Sequence, residues 1–179
     1  MAIASVSGCI MYIHDPKINE LKPARAELKD FAGTYKGAAI YFTPPNAFGL
    51  EGYDSLASIL NVGNWSDVII EVADTGDILI KPSHYRFSSP VLRYVKGKDF
   101  DFTNYRMVFR GKNYTSGSDS EIIGFSRSSM AWMLDSSSNL VVTYGGEGVG
   151  FITIIPFVAD GSALSVFSKW KNIEIGPMK

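Results

Sequence analysis

Side chains able to do acid–base, nucleophilic or metal chemistry are few in this sequence and poorly spaced for it. His14 and His84 lie far apart in the chain, and neither has the second nearby ligand that zinc sites use. Cys9 is the one cysteine. It can form no intrachain disulfide and no multi-thiolate metal site, and nothing beside it marks an activated nucleophile. G-x-S-x-G, H-E-x-x-H and the phosphate-binding P-loop do not occur. The stretch Gly145-Gly146-Glu147-Gly148-Val149-Gly150 is glycine-rich, but a β-like run follows it where a phosphate cradle needs a helix N-terminus, so it reads as a flexible connection between strands. Carboxylates gather at Asp74/Asp77, Asp99/Asp101 and Asp119/Glu121. Two of these turns could lend oxygens to calcium, and solvated turns are the plainer reading. Glycoside hydrolysis needs two acids flanking a sugar, and no spacing here places a pair that way. The expectation is a non-enzymatic chain with no catalytic residue, no metal and no cofactor.

Binding chemistry has more material. Trp65, Trp132, Trp170 and several tyrosines are apolar rings with polar tips. Sugars stack on such rings while Asn, Asp and Ser in nearby loops serve the hydroxyls. Tyr114, Trp132 and Tyr144 are the candidate glycan contacts, with structural roles in a core as the alternative. Residues 81–112 hold 8 of the 17 Lys and Arg but only 2 of the 18 acidic residues. In this block cations alternate with Tyr85, Phe87, Tyr94, Phe100, Phe102, Tyr105 and Phe109, the composition of a single-strand nucleic-acid platform. The phenylalanines, however, alternate as core residues do, and acidic segments elsewhere can pair with the cations. The block is therefore weighed as a solvated sheet face or as a partner interface carried by Arg86, Arg93, Arg106 and Arg110, with nucleic acid disfavoured.

Short apolar runs separated by Ser, Asn, Asp and Gly clusters set the architecture. Met130–Leu134, Leu140–Tyr144, Phe151–Val158 and Leu164–Trp170 have strand length and β-branched or aromatic content. Val68–Val72 and Ile78–Lys81 flank a loop containing Gly76, which reads as a hairpin. Phe100–Arg110 reads as one further strand, and 113–120 as a loop. Ile3–Ile13 reads as a strand or an extended arm stopped by Asp15-Pro16. Helices are expected at Ala24–Ala32 and, capped by Asp54, at Ser55–Leu60. No alternation of strand with long helix occurs, which disfavours parallel α/β. The expected fold is all-β: an antiparallel β-sandwich, jelly-roll-like, with one or two short decorating helices and a barrel as the nearest alternative. An N-terminal arm and short helix would occupy residues 1–34, and the sandwich residues 35–179.

A chain of 179 residues with 46% hydrophobic composition can bury a real core. Its net charge of −1 gives no general pull toward nucleic acid or an anionic membrane. The apolar runs fall short of the roughly 20 residues that a spanning helix needs. Met1–Ile13 has no Lys or Arg ahead of it, unlike a secretory signal, so it is read as mature chain folded in a reducing cytoplasm.

Val166-Phe167-Ser168-Lys169-Trp170-Lys171-Asn172-Ile173-Glu174-Ile175-Gly176 resembles the closing strand of jelly-roll modules in bacteriophage tail fibres and related carbohydrate-binding proteins, and Leu140–Gly161 looks like their paired strands. The resemblance is confined to the C-terminal part of the chain. It implies a non-enzymatic virion protein, made in the host cytoplasm, commonly trimeric, that attaches to a host-surface glycan or to another virion protein. A stand-alone carbohydrate-binding or glycan-processing domain is the alternative.

Overall fold

Hydrogen-bonding register between long strands organises this molecule. A computed structural model describes residues 9–14, 16–20, 22–45, 52–62, 65–84, 91–111, 113–116, 122–152 and 155–170. Three strands, β10 (Ile122–Leu134), β11 (Leu140–Ile152) and β12 (Ile155–Phe167), each contain 13 residues. At about 3.4 Å per residue each runs for roughly 44 Å. They pair antiparallel along their whole length, from Ile122↔Ile152 to Leu134↔Leu140 and from Leu140↔Phe167 to Ile152↔Ile155.

Shorter strands share the two outer edges of this ribbon. β12 pairs in parallel with β1 (Cys9–His14) along one half and antiparallel with β3 (Tyr41–Phe42) along the other. β10 pairs with β9 (Asn113–Ser116) at residues 124–127 and with β8 (Arg106–Phe109) at residues 130–133. β7 (Phe100–Thr103) completes the sheet beside β8. A second, four-stranded antiparallel sheet runs in the order β2 (Gly33–Lys36), β4 (Asp67–Val72), β5 (Ile78–Pro82) and β6 (Leu92–Tyr94). The helices are short: α1 (Pro16–Glu20), α2 (Leu56–Leu60) and a 3-10 turn at Leu28–Phe31.

The all-β sandwich expected from the sequence is what the chain forms. Its connectivity is two meanders, β2-β4-β5-β6 and β7-β8-β10-β11-β12, whereas a jelly roll alternates strands between sheets through Greek keys. The two sheets are stitched along one side, where the Lys36 amide donates to the Ser168 carbonyl at 2.9 Å and the Trp170 amide to the Thr34 carbonyl at 2.8 Å.

Several local expectations are corrected. Ala24–Ala32 is not an α-helix: residues 22–27 are irregular, and the Ala24 amide ties them to the large sheet by donating to the Leu134 carbonyl at 2.8 Å. Only the turn at Leu28–Phe31 remains, with the Glu27 amide donating to the Asp30 carboxylate at 2.7 Å. The second helix is capped by Ser55, which accepts from the Ser58 amide, and not by Asp54. Phe100–Arg110 is a hairpin folded at Asn104 and Tyr105, whose φ values of 50° and 62° are those of a two-residue type I′ turn. The glycine cluster 145–150 is no connection but the middle of β11, paired on both sides. Residues 113–116 of the expected loop are β9. The β4–β5 hairpin stands as expected, with Gly76 at φ 83°.

Between the sheets lies a core of Tyr35, Val68, Ile70, Ile78 and Ile80 from the small sheet, packed with Phe100, Met107, Phe109, Trp132, Leu134, Leu140, Val142 and Phe167 from the large one. Ala26 and Phe31 from the N-terminal stretch join it, Phe31 lying edge-on to Phe102 at 6.1 Å. The core thus takes Trp132, Leu134, Leu140, Val142 and Phe167 from one end of the ribbon, while Glu147 and Val149, farther along β11, are exposed. Phe167→Ala is expected to cost about 3–5 kcal/mol by leaving a cavity. Val149→Ala is expected to stay within about 0.5 kcal/mol. Urea unfolding of the two variants beside the parent chain measures both, and equal losses would mean that packing continues along the whole ribbon.

Candidate functional site

Where the core gives out, side-chain size along the ribbon drops. Met130 and Tyr144 are cross-strand partners packed against the core, and the next pair on the same face is Ser128 and Gly146. This step leaves a cleft of about 300 Å³. It is lined by Tyr53, Phe109, Arg110, Ser128, Ser129 and Tyr144, with Ile59 of α2, Gly111, Met130 and Gly145 completing the wall. Gly111 is required there, because a Cβ at that position would lie 1.6 Å from the Ser128 carbonyl oxygen.

Tyr53 is held over the cleft by a chain of hydroxyls. The Tyr144 hydroxyl donates to Ser165 Oγ in a short hydrogen bond, Ser165 Oγ donates to the Tyr53 carbonyl at 2.6 Å, and the Tyr53 amide donates to the Tyr144 hydroxyl at 3.4 Å. Ser165 is fully buried, so this network is how a polar group within the sheet is satisfied. The two rings meet edge to face at 5.2 Å. Tyr53 remains 47% exposed, presenting an aromatic surface over the cleft. Burial pushes the Tyr144 phenol up to about 12, against the lowering effect of its bond with Ser165. Arg110 lies at the rim with its side chain 57% exposed; its Nη2 donates to the Gly97 carbonyl and stands 3.6 Å from the Asp101 carboxylate. Among the described residues no carboxylate lines the cleft.

The structure separates the residues grouped by sequence. Trp132 is fully buried against Phe109 at 5.0 Å, its indole N–H without a hydrogen-bond partner among the described residues. It cannot stack on a sugar, and the aromatic signal at 132 is a core signal. Tyr114 lies on β9, paired with Ser126, and its side chain is outside the described residues. Tyr144 and Arg110 meet in one cleft. Arg86 lies outside the described residues. Arg93 on β6 is committed to Asp77, with Nη2 at 2.7 Å and Nε at 3.2 Å, and Lys81 pairs with Glu71 at 2.5 Å. Part of the basic block thus neutralises acids of its own sheet. Arg106 is half-buried on β8. Tyr53 was missed; its only signal was an aromatic flanked by Gly52 and Asp54 in a non-strand stretch.

The Asp77 carboxylate is 5% exposed and also accepts from the Lys96 amide at 3.2 Å. Arg93, helped by that amide, holds it below the usual carboxylate range despite burial. A depressed folded value means that stability from this group is complete above the unfolded pKa of about 4 and lost as pH falls through the folded value. Asp77→Asn is therefore expected to destabilise at neutral pH and to flatten the acid limb of the stability profile, measured by urea melts between pH 2 and 7; an unchanged acid limb would remove Asp77 from that role.

For Tyr144 the sign is opposite. Its raised value leaves stability intact below the unfolded pKa of about 10 and erodes it as pH rises through about 12. Tyr144→Phe is expected to cost about 1 kcal/mol at neutral pH and to weaken the alkaline decline, with its late-titrating phenol missing from the ultraviolet difference spectrum.

No family model, no curated protein and no solved structure matches the chain.

Proposed function

We propose that this chain is a non-enzymatic structural protein of a bacteriophage particle, of the tail-fibre, receptor-binding or capsid-decoration type, that works as a homo-oligomer, a trimer being the favoured assembly. The observation that carries this reading is the ribbon. Core packing engages one end of β10–β12, and β11 runs on to Ile152, with Gly146, the next residue after Tyr144 on the core-facing side, already exposed. Backbone pairing satisfies such an extension internally, yet a single layer buries little apolar area and contributes little stability by the hydrophobic effect. A neighbouring copy or another virion protein supplies the missing layer. The resemblance of the C-terminal strands to tail-fibre modules points the same way, and the closing residues 171–176 of that motif lie outside the described residues.

A stand-alone carbohydrate-binding domain is the second reading, favoured by the fixed, half-exposed ring of Tyr53 over the cleft. Solution mass separates the two. Light scattering on the full chain is expected to give a stable homo-oligomer, a trimer in the favoured case, and the same measurement without residues 1–15 shows whether the segment containing β1 holds it together. Monomers in both would overturn the assembly reading.

A further inference from the structure

We infer that the far part of the long ribbon is a self-association surface: the apolar face of one copy packs on the glycine-lined face of the next, head to tail around a closed ring. This rests on the assembly reading above and names the surface that reading uses. Five strands lie side by side there in the order β9, β10, β11, β12 and β1, because β9 pairs with residues 124–127 and β1 with residues 157–162. Side chains alternate between the faces of a strand, so register sorts them. The face that carries Met130 and Tyr144 nearer the core continues through Ser128, Ser126 and Gly124 on β10 and Gly146, Gly148 and Gly150 on β11. Those positions hold nothing larger than serine. The opposite face takes Phe125 and Ile123 from β10, Val149 and Phe151 from β11, Val158 from β12 and Ile10 from β1. Every one of them is apolar.

Among the described residues both faces are open: Ser128 and Gly146 are exposed on the first, and Val149 is 53% exposed on the second. The occupant is a second copy for two reasons. First, the faces fit each other. Glycine in the interior of a strand weakens it and marks close approach by another backbone, and alternate glycines at 146, 148 and 150 clear one face only. A bulky apolar row needs such a floor if two sheets are to pack within the usual spacing of about 10 Å. Apolar face against apolar face, in a two-fold dimer, would leave the glycines without a use. A head-to-tail contact uses both faces of every copy, and closed by rotation it gives a ring such as the favoured trimer. Second, the area suffices. Five strands about 4.8 Å apart with a paired length of roughly 20 Å present roughly 500 Å² per face. Each contact then buries roughly 1,000 Å², the lower bound of a specific interface. On the apolar face the next row toward the core carries Arg127, Glu147 and Asp160, which gives the contact a polar rim.

The test weighs the full-length chain by light scattering beside two variants, Val149→Lys on the apolar face and Gly148→Tyr on the glycine-lined one. Each variant alone is expected to fall to a monomer, because each has lost one of its two faces. Mixed in equal amounts they are expected to form a one-to-one dimer, through the intact glycine-lined face of the Val149 variant and the intact apolar face of the Gly148 variant. Far-UV circular dichroism checks that each keeps the parent spectrum. Val158→Lys and Ser126→Tyr, on the same two faces, replace any variant that does not. A Gly148→Tyr chain that keeps the parent mass while Val149→Lys is monomeric would overturn the head-to-tail pairing in favour of apolar faces meeting each other. Two monomers that stay apart on mixing would also overturn it, as would assembly lost by Gly148→Tyr but kept by Val149→Lys. Parent mass in both variants would overturn this surface and leave the assembly reading standing, with its contacts elsewhere in the chain. A parent chain that is itself a monomer would overturn both.

Discussion

Everything in this fold depends on the uninterrupted backbone pairing of β10, β11 and β12. Ladder hydrogen bonds need only N–H and C=O groups, so they tolerate a run such as residues 145–150 in which four of six positions are glycine. Glycine weakens an isolated strand by roughly 0.5–1 kcal/mol relative to alanine. Here each glycine of β11 is paired on both sides, as with Gly146 between Ser128 and Gly161. The central strand is thereby enforced by its neighbours, and the outer strands β1, β3, β8 and β9 fill the remaining edges in pairs. Filling edges also limits the template for unwanted strand addition.

The second sheet converts one end of this ribbon into a cooperative domain. It does so by burial across the interface and by backbone bonds along one side, where residues 168–170 leave β12 and pair with β2. A ring sequence from Tyr94 through Phe109 to Trp132 crosses from the small sheet to the large one. Within the small sheet the β4–β5 turn, β6 and the following Lys96 converge on the Asp77 carboxylate. A buried charge of this kind is tolerable because Arg93 answers it in place. The same logic governs Tyr144 and Ser165, whose hydroxyls lie in the sheet but end on the backbone of residue 53.

How much of this was legible follows from which interactions are local. The β4–β5 hairpin could be read because alternation and a five-residue loop lie within one short window. The turn at Asp135–Asn139 could also be read, since Asp135 accepts from the amides of Ser137 and Asn139. The Ala24–Ala32 helix was misread because the segment is held by contacts remote in the chain, with Ala26 and Phe31 buried in the core between the sheets and the Ala24 amide on the Leu134 carbonyl. Phe100–Arg110 concealed a hairpin because Asn104-Tyr105 lacks the glycine that usually betrays a type I′ turn. Long strands were cut into short ones because glycine and serine signal turns only when no neighbouring strand holds them extended. At the site, Tyr144 and Arg110 were nameable by residue type. Trp132 was misassigned because burial cannot be read from an aromatic alone, and Tyr53 was invisible because its position depends on partners at 144 and 165.

The ribbon and the cleft share one cause. On the core-facing side of β10 and β11 the side chains change from Trp132 and Met130 to Ser128 and from Val142 and Tyr144 to Gly146. That change ends the two-layer core, because small residues cannot reach an opposing sheet. It also opens the depression over which Tyr53 is fixed and beside which Arg110 emerges from β8. A larger pair at 128 and 146 would fill the cleft, and a smaller one at 130 and 144 would deprive the Tyr53 segment of the ring and hydroxyl that hold it. The cleft and the continuing sheet are thus two consequences of a single compositional boundary, at the junction between the packed domain and the part of the sheet proposed to assemble.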